Sequence, residues 1–106
     1  MTKKHSKYSS GVYAFKFEDF EIDYKGKTYA TSGDWYIEFE GHWVDPEWEV
    51  DWVPENVENL IVYSNDGDHE DLAMDKTFRS DLKRALIAKY DDDIYIELIQ
   101  EIESNE

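Results

Sequence analysis

Residues 28–75 contain no lysine or arginine, although they hold 14 carboxylates and all four tryptophans of the chain. Apolar and acidic residues alternate within this segment, most clearly over 35–40 and 47–52. Strict alternation is typical of β-strands, in which successive side chains point to opposite faces of a sheet. The segment therefore predicts antiparallel strands with one apolar face and one strongly acidic face.

Similar alternation and helical spacing extend the prediction to the rest of the chain. Further strands are expected at 12–17, 20–24, 28–31 and 60–63. Pro54 is expected to end the strand that begins at Trp48. From Phe78 the apolar residues follow helical spacing, and Asp91 or Asp92 is expected to cap a second helix. The predicted fold class is α+β, with an antiparallel sheet of about four to five strands and two C-terminal helices packed on one face.

The length of 106 residues indicates one domain. We expect it to span 12–103, after a basic, flexible tail at 1–11 and before a frayed end at 104–106. The chain has no cysteine and no apolar run near the ~20 residues needed to cross a bilayer. These features predict a cytoplasmic protein.

The formal net charge of -15 is far larger than solubility requires, since a magnitude of about 2–8 is sufficient for a small domain. Such a charge destabilises a compact state through self-repulsion. It also argues against direct binding to nucleic acid or to anionic membranes, because both require a basic surface. The excess of carboxylates therefore predicts a basic protein partner.

The acidic residues of the two clearest strands form rows. Alternate strand residues are ~6.7 Å apart, and neighbouring strands are ~4.8 Å apart. Like charges at such distances are unfavourable, so stability alone does not explain the rows. Double-stranded DNA also carries rows of negative charge, one per ~3.4 Å of each strand. The rows therefore predict mimicry of the field and outline of a nucleic acid, without a match to each phosphate.

Ten residues are the candidate partner-binding set. They are Glu38, Glu40, Glu47, Glu49, Asp51, Tyr36, Trp43, Glu55, Asp66 and Asp68. Trp43 is expected in a loop and is the best aromatic candidate for an interface. Trp35, Trp48 and Trp52 fall opposite the acids in their strands, which predicts that they belong to the core.

No motif indicates catalysis, a cofactor or a metal. Residues 65–71 are rich in oxygen ligands but do not have the spacing of an EF-hand loop. The three histidines lie in separate segments, and no arrangement typical of nucleophilic catalysis is apparent. We therefore expect a protein that is not an enzyme and requires no cofactor.

Residues 33–40, GDWYIEFE, and 45–52, DPEWEVDW, resemble small acidic proteins of phages that inhibit bacterial defence. The resemblance is to the DNA-mimic anti-restriction and anti-CRISPR type. It implies an inhibitor that occludes the nucleic-acid site of a CRISPR effector, restriction enzyme or other nuclease. Two alternatives stay open, an immunity protein against a nuclease toxin and a structural or regulatory phage module. A homodimer formed through an edge strand is also compatible with the sequence.

Overall fold

The computed structural model describes residues 8–104, which form an antiparallel sheet and two helices. The elements are β1 (Tyr8–Tyr24), β2 (Lys27–Val44), β3 (Glu47–Ser64), β4 (Gly67–Asp68), α1 (Glu70–Ala73) and α2 (Lys76–Ser104). The strands lie in the order β1-β2-β3-β4, and the body measures 61 × 20 × 20 Å. The α+β class is therefore confirmed, with a sheet of four strands. No helix of these residues is long and apolar enough to cross a membrane.

The strands are longer than the sequence predicted, because the expected breaks are β-bulges. Asp19 and Asn59 have φ angles of 52° and 55°, at irregularities in β1 and β3. The register between β2 and β3 shifts between Ser32 and Asp34, at the same level of the sheet. A bulge adds a residue and increases the local twist without ending the ladder. Short predicted strands therefore merge in pairs into β1, β2 and β3.

The prediction that Pro54 ends its strand is wrong. β3 continues through Pro54, which pairs with Ile37 beside another register shift. The other side of β3 is an edge here, because β4 pairs only with Tyr63 and Ser64. Proline has no N–H to donate, and a strand tolerates this at an edge or a bulge.

The two predicted C-terminal helices are one helix, α2, and no cap lies at Asp91 or Asp92. The apolar spacing runs through the acidic residues without interruption, and these residues are exposed. The buried or half-buried positions recur every fourth residue, at Phe78, Leu82, Leu86, Tyr90, Ile94, Leu98 and Ile102. At ~100° per residue, each step of four advances the stripe by ~40° around the helix. The stripe therefore winds around α2, and the sheet must curl to follow it.

The core lies between α2 and the inner face of the sheet. Trp35, Trp48 and Ile37 are fully or almost fully buried there, and Trp52 is half-buried against them. Gly41 allows α2 to approach β2 closely, since a Cβ at this position would lie 2.6 Å from Cδ1 of Ile102. The expectation that Trp35 and Trp48 belong to the core is confirmed.

The boundaries of the domain differ slightly from the prediction. Residues 8–11, expected in the flexible tail, begin β1 and pair with 39–42 of β2. Ser104, expected to fray, is the last residue of α2, and its hydroxyl donates to the carbonyl of Gln100. Residues 1–7 and 105–106 of the predicted tail and frayed end lie outside the described residues.

Tyr13 connects β1 to α2, and this contact predicts a loss of stability at high pH. Its hydroxyl donates to Glu97. Burial, and next the bond to Glu97, raise the pKa of Tyr13 from 10.0 to about 12. Between these values the unfolded chain loses the phenol proton while the folded protein keeps it, so rising pH favours unfolding. We expect the free energy of unfolding to fall more steeply above pH 10 for the wild type than for Tyr13→Phe. Parallel curves in urea titrations across this range would contradict the assignment.

Proline at position 92 distinguishes one continuous helix from two. In the middle of α2, Asp92→Pro removes a backbone hydrogen bond and is expected to lower the free energy of unfolding by ~3 kcal/mol or more. At the first position of a separate helix, the same proline would be tolerated. The control is Asp92→Ala, which removes the carboxylate and keeps the backbone donor. Equal stability of the two variants in urea denaturation would show that the helix is broken at this point.

Candidate partner-binding surface

The face of the sheet directed away from α2 is called the outer face, and it carries the rows that the sequence predicted. Its row residues, all exposed, are Glu38, Glu40, Glu47, Glu49 and Asp51. Glu40 on β2 lies directly opposite Asp51 on β3, and Glu49 lies opposite His42. The two acidic strands are therefore neighbours in the sheet, and their rows lie side by side.

Little in the described residues offsets the charge of this face. Near Glu40, the hydroxyl of Tyr8 donates to Oε2 at 3.3 Å, and Nε2 of His42 lies 4.0 Å from Oε1. Lys16 points to the same face but lies further along β1, where its Nζ is 3.2 Å from Oδ1 of Asp34. Carboxylates directly opposite each other across strands repel, so the arrangement lowers stability.

A small polar network marks the end of the acidic rows that lies nearest the bulges. Asp34 accepts hydrogen bonds from Asn59 at 2.9 Å and from Lys16 at 3.2 Å. These bonds, that from Asn59 first, hold the pKa of Asp34 below its usual value. The network lies at the level of the bulges, where the three long strands change register.

Apolar side chains are interleaved with the acids of the outer face. Val12, Glu38 and Val53 form one row across β1, β2 and β3. Val12 is 63% exposed and Val53 is 56% exposed. They line an open groove of about 500 Å³ together with Tyr8, Ser10, Gly11, Glu38, Phe39, Glu40 and Asp51. A partner side chain with an aliphatic stem and a cationic tip would find both kinds of contact here.

The acidic surface extends beyond the sheet onto α2. We use the name acidic end for residues 8–15, 35–56 and 90–104, which the contacts of Tyr13 with Glu97 and of Gly41 with Ile102 bring together. The acidic end has 13 carboxylates and no lysine or arginine. The remaining described residues have 12 carboxylates and 8 lysines and arginines. The charge is therefore strongly polarised along the 61 Å axis.

Sequence reasoning missed the contribution of α2 to this surface. The prediction treats Asp91 or Asp92 as a helix cap and 104–106 as a frayed end, and it assigns no partner contact to any residue after Asp68. The absence of lysine and arginine after Lys89 was the signal that could have revealed it. This signal could be interpreted only with the length of α2 in hand, because the long helix places the acidic residues of 90–104 beside those of 35–56.

The charges near the C-terminus of α2 also oppose its dipole, whereas Asp75 caps the N-terminus by accepting the backbone N–H of Phe78 at 2.9 Å. Its first turn contains Lys76 and Arg79 and no acid, whereas its last turn contains Glu101 and Glu103 and no base. Acids near a helix C-terminus are unfavourable, and each such charge is typically worth ~0.3–1 kcal/mol at an exposed site. Both the sheet and the helix thus concentrate carboxylates where folding does not favour them.

The structure places the two aromatic candidates differently. Tyr36 is half-buried on β2 and alternates with Glu38 on the outer face, and Glu55 is exposed on β3. Trp43 lies within β2, so the expectation of a loop is wrong. It is half-buried on the inner side, where its ring centroid is 5.6 Å from that of Trp48. The alternation of β2 extends to Val44, which directs Trp43 toward the core.

Asp66 and Asp68 are far from the other candidates. They lie at the β3–β4 hairpin, near the level of Ala30 in β2. The ten residues from Ala30 to Glu40 correspond to ~33 Å of strand. Lys27 donates to Asp66 and lowers the pKa of its carboxyl group. Asp66 and Asp68 therefore do not form one surface with the acidic rows.

The same hairpin contains a close Ser64–His69 pair. Nε2 of His69 is 2.7 Å from the hydroxyl of Ser64, which also accepts the backbone N–H of Asp66 at 3.2 Å. These bonds close the turn. Within residues 8–104, no group of three or more histidine and acidic side chains is arranged to hold a metal ion.

Comparison with protein-family models, with curated proteins and with solved structures finds no match for this chain. The basis for a functional proposal is therefore the surface itself. Its main features are the acidic end, the facing pair of Glu40 and Asp51 on the outer face, and the exposed Val12 and Val53 beside Glu38.

The repulsion between Glu40 and Asp51 can be measured in a double-mutant cycle. We expect Glu40→Gln to raise the free energy of unfolding by ~0.2–1 kcal/mol, and to have less effect in the presence of Asp51→Asn. The coupling should disappear near 1 M salt, where the Debye length is ~3 Å. Glu21→Gln combined with Asp51→Asn is the control, since Glu21 pairs with Ala30. Additive effects of Glu40→Gln and Asp51→Asn at low salt would show that the two carboxylates do not interact.

Proposed function

We propose that this protein is an acidic inhibitor that occupies the basic nucleic-acid-binding site of another protein with its acidic end. The single observation that carries the proposal is a folded surface of 13 carboxylates without a lysine or arginine. Folding explains little of this arrangement, because Glu40 and Asp51 face each other across strands, and Glu101 and Glu103 lie at the wrong end of a helix. A basic partner would relieve the repulsion on binding.

The charge density of the acidic end supports mimicry of a nucleic acid. Residues 35–44 of β2 span ~33 Å of the axis. The 13 carboxylates over this length correspond to about one charge per 2.5 Å, compared with one per ~1.7 Å for double-stranded DNA. The rows on the strands, at ~6.7 Å, do not follow the phosphate spacing. The proposed mimicry is therefore of the average field along a narrow body.

The apolar groove supports a protein as the partner. Val53 lies beside Glu38 on the outer face, so a lysine or arginine of the partner can pack its stem on this valine and place its charge on the carboxylate. The resemblance to phage inhibitors favours a CRISPR effector, a restriction enzyme or another nuclease of a bacterial host. The inhibitor would then act in the host cytosol, by occlusion and without a cofactor.

Affinity capture with a charge-matched control tests this function. The bait is the tagged protein, and the test variant combines Glu38→Gln, Glu40→Gln, Glu47→Gln, Glu49→Gln and Asp51→Asn. The control combines Glu18→Gln, Glu21→Gln, Glu58→Gln, Asp68→Asn and Glu70→Gln, which lie outside the acidic end and are exposed. Each variant loses five negative charges, so the two differ only in the positions from which carboxylates are removed.

We expect the wild type and the control to capture a DNA- or RNA-binding protein from a bacterial lysate, and the test variant to lose it. Duplex DNA or RNA should displace the captured protein, and binding should weaken steeply with salt. Equal capture by the test variant and the wild type would overturn the proposal. Capture of proteins that do not bind nucleic acid would overturn it as well.

A further inference from the structure

The two edges of the sheet are protected to different degrees. β3 forms one edge, and over 47–58 it carries Glu47, Glu49, Asp51, Glu55, Glu58 and Pro54. Charged residues and proline are the usual means by which an edge strand avoids pairing with another chain. β1 forms the other edge, and its residues 9–15 contain neither a charge nor a proline. No described strand pairs with this side of β1.

We propose that two copies of this chain pair through 9–15 of β1, antiparallel about a two-fold axis near Val12. The three long strands of each copy would then form one six-stranded core sheet. In this register Val12 faces Val12 of the second copy, and Ser10 faces Ala14. No carboxylate faces another carboxylate across the new strand pair, because the first acid of β1 is Glu18.

The side chains of this segment suit such pairing on both faces of the sheet. On the outer face, Val12 is 63% exposed, and the contact with its copy would cover it. On the inner face, Gly11 is covered on one side by the ring of Phe39, 3.3 Å from the position of a Cβ. The half-buried Tyr13 would lie opposite Gly11 of the second copy. An aromatic residue beside a glycine is a known way to stabilise a glycine at a strand edge.

A second copy of the chain fits this edge better than an open series of strands. Pairing of β1 with β1 uses the unprotected segment of both copies at once. The two outer edges of the dimer are then formed by β3 of each copy, which carries the carboxylates and Pro54. The assembly therefore closes at two copies, and both outer faces lie on the same side of the extended sheet.

Electrostatic repulsion across the proposed interface is limited by distance. Glu38 and Glu40 lie one strand away from the edge, so each is about three strand spacings, or ~14 Å, from the same row in the second copy. This exceeds the Debye length of ~8 Å at physiological salt. At 0.01 M salt the Debye length is ~30 Å, so this repulsion acts across the interface. Raising the salt from that level should therefore strengthen the dimer, whereas it weakens the binding of a basic partner. Because salt has opposite effects on dimerisation and on partner binding, either proposal can fail while the other holds.

Sedimentation equilibrium and cysteine cross-linking of the purified full chain test the dimer. We expect the wild type to shift between 12.6 kDa and twice this mass across micromolar to millimolar concentrations, and to associate more tightly as salt is raised. The chain has no cysteine, so Val12→Cys introduces a single thiol on the proposed axis. Val53→Cys is the matched control, because Val53 is similarly exposed on the same face but lies on the β3 edge.

Under mild oxidation, Val12→Cys should form a covalent dimer at least tenfold faster than Val53→Cys. A wild type that stays at 12.6 kDa at all concentrations would overturn the proposal. Cross-linking of Val53→Cys as fast as Val12→Cys would also overturn it, because association would then not occur through β1.

Discussion

The fold depends on the packing of one winding apolar stripe against one curled sheet. The stripe recurs every fourth residue of α2 from Phe78 to Ile102, so its direction changes steadily along the helix. The sheet stays in contact with the stripe along the whole helix only if it curls around α2. The aligned bulges at Asp19 and Asn59 contribute to this curl, because a bulge increases the local twist of a strand. The same helix also covers only one face of the sheet. The other face must be compatible with water over its whole length.

This division of the sheet explains how the chain tolerates its charge. The inner face supplies the buried tryptophans and aliphatic residues, while the outer face and the exposed side of α2 carry the carboxylates. Alternation within each strand keeps the two sets apart, so the charge can be concentrated without placing a carboxylate in the core. The free energy lost to repulsion is offset by apolar burial on the opposite face. The surface can therefore be specialised independently of the core.

Local periodicity allowed the acidic face and the α+β class to be predicted from the sequence. A period of two residues identifies a strand and its two faces, which is why Glu40 and Asp51 were placed correctly. The merging of short strands, the path of β3 through Pro54 and the continuity of α2 depend on contacts between distant segments. Asp66 was grouped with the acidic rows because it lies in the same segment without lysine or arginine. The long strands place it about half the length of the molecule away from Glu40 and Asp51. Trp43 was expected in a loop because Gly41 and His42 precede it, whereas the strand β2 continues to Val44.

The polarised charge gives the molecule a large electric dipole along its longest axis. In the field of a positively charged cleft such a body experiences a torque, which turns the acidic end forward before any contact forms. The hairpin at Asp45 and Pro46 would then lead into the cleft. The opposite half of the 61 Å body would remain outside it. Its bulk would obstruct the entrance, so that a polymer could be excluded even from parts of the cleft that no carboxylate touches.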